Sequence, residues 1–180
     1  MFSFTAKRGL FVPKRYKVTL TKANPSPQAQ IKRPTPILFV RTLLDSPTKL
    51  SDLGYASVDA AIHIKPEQQD PLSTYYRELS QVTNDLSFFP PLMISRGPIA
   101  WRISQKYVSN KPVSGLVMVD SDQDESCLLP AYPTSPFEPH FPICMVSRQS
   151  PPDFLEGWID HYACEDEITQ VLVWMDEMGM

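Results

Sequence analysis

Few side chains in this sequence can do chemistry. It holds three histidines (His63, His140, His161) and three cysteines (Cys127, Cys144, Cys164). His140, Cys144, His161 and Cys164 form H-x3-C and H-x2-C pairs, close to a spacing at which zinc takes imidazole and thiolate. Cys144, however, lies in the apolar run FPICMV, where a thiol behaves as a small buried hydrophobe; no metal site is expected. Asp120, Asp122 and Asp124 open like a calcium loop. The sixth position, where such a loop needs glycine, is Glu125, and the twelfth is Ala131. Asp120–Glu125 therefore reads as a solvated acidic loop. No phosphate-cradling or dinucleotide glycine motif is present, and no cofactor is expected.

Ser95 follows the apolar residues Leu92–Ile94 and precedes Arg96-Gly97-Pro98. A serine there becomes a nucleophile if a base takes its proton; the alternative is a turn serine bonded to local backbone. Arg96, with backbone N–H groups opening a helix, could hold an anion; the alternative is a solvent-facing charge. Tyr75, Tyr76 and Trp101 are read as core or sheet-covering residues. Pro130–Pro142, with five prolines and three aromatics, is either a polyproline segment that docks on a partner or a crossover loop packed on its own domain.

These groups need elements to position them. Ile37–Val40 and Leu92–Ile94 are short apolar runs, as are Gly115–Val119 and Phe141–Val146. Such runs suit strands buried on both faces. Tyr55–Ile64 has apolar residues on one face of a further strand. Pro71–Leu86 has helical spacing, with Asp70 as its cap. Helices are also expected over Pro47–Leu53, Pro98–Ser109 and Asp153–Tyr162, and a last strand or helix over Ile168–Trp174. Strands alternating with helices predict an α/β three-layer sandwich with a mostly parallel sheet. Ligands then sit at the carboxyl ends of the strands, after Val40, Ile94, Val119 and Val146.

Charge divides the 180 residues unevenly. Residues 1–44 carry nine Lys/Arg and no acid; residues 45–180 carry eight Lys/Arg and twenty Asp/Glu. The first 22 residues are basic, hydroxyl-bearing and acid-free, and resemble a mitochondrial presequence. Ala23–Pro36 holds four prolines and reads as an extended linker. The expected division is thus a basic segment and linker over 1–36 and one α/β domain over 37–180. The alternatives for this basic head are a plain solvated tail and an arm that binds nucleic acid; no nucleic-acid partner is expected, and a protein partner or a small acyl ligand is the expectation. No apolar run is long enough to cross a membrane. An odd cysteine count fits a reducing compartment.

The stretch from Pro90 to Asp120 resembles the centre of the α/β-hydrolase fold. There a strand enters a sharp elbow, a helix leaves it, and the next strand reads like GLVLVD, here GLVMVD. Ile37–Pro47 resembles the early strand with its oxyanion-hole loop, which would involve Arg41. Phe141–Phe154 resembles the late strand whose following loop carries the acid. The resemblance implies a nucleophile at Ser95, an acid at Asp153 (Asp120 being the second possible position) and anion contacts from Arg41, Arg96 and Gly97. It departs from the family at the elbow, where G-x-S-x-G is replaced by Ile94-Ser95-Arg96-Gly97-Pro98, with Ser95 or Arg96 at the apex. The family's terminal histidine is also missing, as from a domain truncated at its C-terminal end. The base would have to be His161, eight residues after Asp153. A non-catalytic, hydrolase-like binding or assembly module in mitochondria is the reading that follows. The alternatives are a small serine hydrolase for an ester or thioester, and a hydrolase remnant.

Overall fold

The computed structural model describes residues 17–42, 53–65, 69–84, 90–121, 123–163 and 166–180. Seven strands form one sheet: β1 (Val18–Ala23), β2 (Ile37–Thr42), β3 (Ser57–Ile62), β4 (Leu92–Arg96), β5 (Gly115–Val119), β6 (Ile143–Val146) and β7 (Asp160–Tyr162). The order is β1-β3-β2-β4-β5-β6-β7, parallel throughout except for β1, which pairs antiparallel with β3. Helices α1 (Pro71–Asn84) and α2 (Pro98–Val108) cover one face and α3 (Glu167–Glu177) the other. This is the expected α/β architecture with a mostly parallel sheet, and its helices lie on both faces.

Two cores result. Val40, Met93, Met118 and Met145 meet Tyr75, Leu79, Ile99 and Ile103 on the first face. Phe39, Ile94, Val117 and Cys144 meet Val171, Trp174 and Met175 on the second. Burial on both faces explains why β5 and β6 are continuously apolar, with every residue buried. Asp70 caps α1 by accepting the Ser73 N–H (3.3 Å), and Asp166 caps α3 by accepting that of Thr169 (3.2 Å).

Three expectations change. The sheet begins upstream of Ile37: β1 lies in the stretch read as basic head, and Val18 is a core residue. Its V-T-L-T alternation is the pattern of a half-buried edge strand, masked by the charge around it. The proline-rich segment is strapped to the body. The Arg33 N–H bonds the Gly54 carbonyl (3.0 Å), and its guanidinium pairs with Asp176 on α3 and lies over the Tyr55 ring. The helix expected over Asp153–Tyr162 is instead a single 3-10 turn, Asp153–Leu155, followed by β7. Gly157, at φ 80°, breaks the helical path. The ambiguous last element is the helix α3. The helix expected over Pro47–Leu53 falls almost wholly outside the described residues.

Candidate functional site

The carboxyl ends of β2, β4, β5 and β6 lie side by side. Val40, Ser95, Met118 and Met145 form one row across the strands, and Arg41, Arg96, Val119 and Val146 the next. A sharp turn at this edge joins β4 to α2. Its apex is Gly97, at φ 86° and ψ 160°, a region reserved in practice for glycine. Ser95 and Arg96, the residues expected at the apex, are still in the strand. The apex thus falls one residue past Arg96, so that a frame centred on it runs Ser95-Arg96-Gly97-Pro98-Ile99, with Gly97 where the expected pattern has its serine. A Cβ there would lie 2.9 Å from Ser121 Cβ and 3.2 Å from Glu125 Oε2, so the space a nucleophile needs is filled.

Glu125 fills it for a reason. Gly97 offers no side chain to cap α2, and the helix N-terminus carries unsatisfied N–H groups and partial positive charge. Glu125 Oε2 accepts the Ile99 N–H at 3.1 Å, and the residue is 1% exposed. The reading of Asp120–Glu125 as a solvated acidic loop is thus wrong at its last residue. The anion position at this helix is occupied by the chain's own carboxylate.

Ser95 is fully buried, and its hydroxyl bonds that of Ser104 on α2 at 2.6 Å. His161 lies in register with Met145 on β7. Met118 and Met145 stand between it and Ser95 in the same row, three strand spacings or about 14 Å of backbone separation. The His161 ring is held by its Nε2–H, which donates to the Ser147 carbonyl at 2.8 Å. A carbonyl can only accept, so this nitrogen carries a proton and is no base. Asp153 is exposed on the 3-10 turn. The structure thus does not join Ser95 to His161. Asp120, the second acid position, spends Oδ2 on the Arg148 N–H (3.1 Å).

Arg41 and Arg96 do stand side by side, as an anion site would require. Arg41 is committed, however: Nε and Nη2 hold the Asp59 carboxylate at 3.0 and 2.9 Å, and Nη1 bonds the Thr42 carbonyl. Its charge is neutralised within the sheet. The cleft beside the elbow, lined by Gly97, Trp101, Asp120, Ser147 and Gln149 among others, has a volume of about 30 Å³. That is room for about one water, not for an acyl chain.

Cys144 is buried on the second face, whereas His140 is exposed, so the two do not share a surface. Pro130–Pro142 is a packed crossover: Tyr132 is buried, and Phe137 and Phe141 pack against the first core. The sequence reading missed Glu125, Ser104 and Ser121. A helix opening on Gly-Pro without a capping side chain implies an acceptor from elsewhere, which was the available signal for Glu125. No protein-family model, curated protein or solved structure matches the chain.

Proposed function

We propose that the chain is a non-catalytic, α/β-hydrolase-like protein that works as a binding or assembly module. One observation carries this: the elbow position is Gly97, hemmed in by Ser121 and Glu125. The strand–turn–helix at Ile94–Pro98 supports the likeness in form. The content that would make it an enzyme is replaced. Glu125 Oε2 already takes the Ile99 N–H at the helix N-terminus, and Pro98, the residue after the apex, has no N–H to offer an oxyanion. Ser95 has its hydroxyl bound and buried, and has no histidine beside it.

Purified protein is expected to show no labelling by a fluorophosphonate probe and no turnover of short acyl esters above background. Labelling or turnover that disappears in Ser95→Ala would overturn the reading. We further propose mitochondrial import through the basic head. Since β1 belongs to the sheet, a removed leader would end before Val18. Residues 1–36 fused to a fluorescent reporter are expected to reach mitochondria; a diffuse cytosolic signal would refute import.

A further inference from the structure

A surface groove lies against the first core, between the crossover that precedes β6 and the turn that precedes β7. It is lined by Pro136, Phe137, Glu138, Pro139, Phe154 and Trp158 and has a volume of about 400 Å³. Phe137 stacks on Phe141 and meets Phe154 edge-on, each at 5.8 Å between ring centroids. The groove floor is thus anchored in the first core, since all three rings pack against it. Trp158 is not anchored in this way: it is 66% exposed. Holding an indole in water forgoes the stabilisation its burial would bring. Exposed tryptophans beside a preformed apolar trough are the side chains that dominate binding surfaces.

Charge selects the occupant. Glu138 lines the groove, and Asp153 and Glu156 flank Phe154 and Trp158 from the same turn, all exposed. None of the six lining residues is basic. His140 Nε2 lies 3.9 Å from Glu138 Oε2, at the far limit of an ion pair. Aromatic faces carry negative quadrupole density and attract cations, tryptophan most of all. Carboxylates and ring faces therefore act in the same direction, and an anionic surface would be repelled.

We propose that this groove docks an extended, lysine- or arginine-bearing segment of a partner protein, with one cation over the Trp158 ring and its stem on Phe137 and Phe154. This rests on the binding-module reading and names the kind of partner. The open trough flanked by Pro136 and Pro139 suits an extended backbone better than a small molecule, which needs enclosure.

The test uses the full chain and two fluorescein-labelled peptides, one repeating Lys-Pro-Arg-Pro and one repeating Glu-Pro-Asp-Pro. The basic peptide is expected to raise fluorescence anisotropy saturably, and added salt to weaken it. Trp158→Ala and the Glu138→Gln/Glu156→Gln pair are each expected to weaken binding about tenfold or more. Both variants alter exposed side chains, and melting curves matching the parent's will show that they fold. Absence of basic-peptide binding, equal binding of the two peptides, or binding unaffected by Trp158→Ala would overturn the proposal. A dimer abolished by Trp158→Ala would overturn it in favour of a second copy of the chain. Fluorophosphonate labelling separates this from the broader reading. A labelled protein that still binds the basic peptide through Trp158 refutes only the absence of catalysis, and an unlabelled one that ignores the peptide refutes only the groove.

Discussion

Ser95 and Ser104 satisfy each other in a place neither could occupy alone. A buried hydroxyl without a partner loses its hydration and receives nothing in return. Ser95→Ala is expected to cost about 1 kcal/mol, and Ser104→Ala the same. The double variant should cost less than the two single losses together, because no orphaned hydroxyl remains. Strict additivity in urea titrations would contradict this pairing. Glu125 can be tested in the same way. Glu125→Ala should cost about 1–3 kcal/mol by leaving the α2 N–H groups without an acceptor. Glu125→Gln should cost less, since its amide oxygen can still accept from Ile99 while only the charge is lost. Equal losses would show that the carboxylate does not act as the helix acceptor.

At the scale of elements, α3 and β7 depend on one another. The Trp174 indole N–H donates to Asp160 Oδ2 at 2.8 Å, while the ring is fully buried on the second face. One side chain thus covers the sheet and ties down its short edge strand. Trp174→Phe keeps most of the bulk and loses the bond. It is expected to cost about 1 kcal/mol, because Asp160 is partly solvated, and to speed amide exchange across Asp160–Tyr162. Trp174→Ala also opens a cavity and should cost about 3–5 kcal/mol. Unchanged exchange in Trp174→Phe would mean that β7 is held by its pairing with β6 alone.

Across the whole molecule, the two sheet edges and the buried phenols set the limits of stability. Deleting residues 1–23 uncovers the β3 edge and removes Val18 from the core. Relative to deletion of 1–16, it should lower the melting temperature and promote aggregation. Equal behaviour of the two deletions would refute a structural role for β1. Burial pushes the pKa of Tyr55, Tyr75, Tyr107 and Tyr132 above the ordinary phenol value, the proximity of Tyr75 and Glu125 adding to the effect at Tyr132. The folded protein therefore keeps protons that the unfolded chain releases near pH 10. Stability should be intact below that pH and fall as the pH rises above it. Melts from about pH 8 to about pH 11 with phenolate absorbance will check this. Normal titration of all seven tyrosines without loss of structure would refute it.

The parallel sheet and its covering helices were legible in the residues because burial on two faces leaves a local imprint. ILFV, GLVMV and ICMV are apolar without alternation, and the stretch from Pro71 repeats its apolar residues at helical intervals. Charge asymmetry and the absent glycine motifs were likewise matters of residue type alone. What occupies the elbow was not legible. That Gly97 is the apex depends on where β4 stops, and that Glu125 is buried depends on a contact 26 residues away at Ile99. The strap from Arg33 to Asp176 spans 143 residues, and β1 and β7 join the sheet through partners that their own short sequences do not specify. Such contacts leave no periodic trace in the chain. They exist because the folded sheet brings an uncapped helix and a carboxylate, or an edge and a strand, close enough for each to satisfy the other.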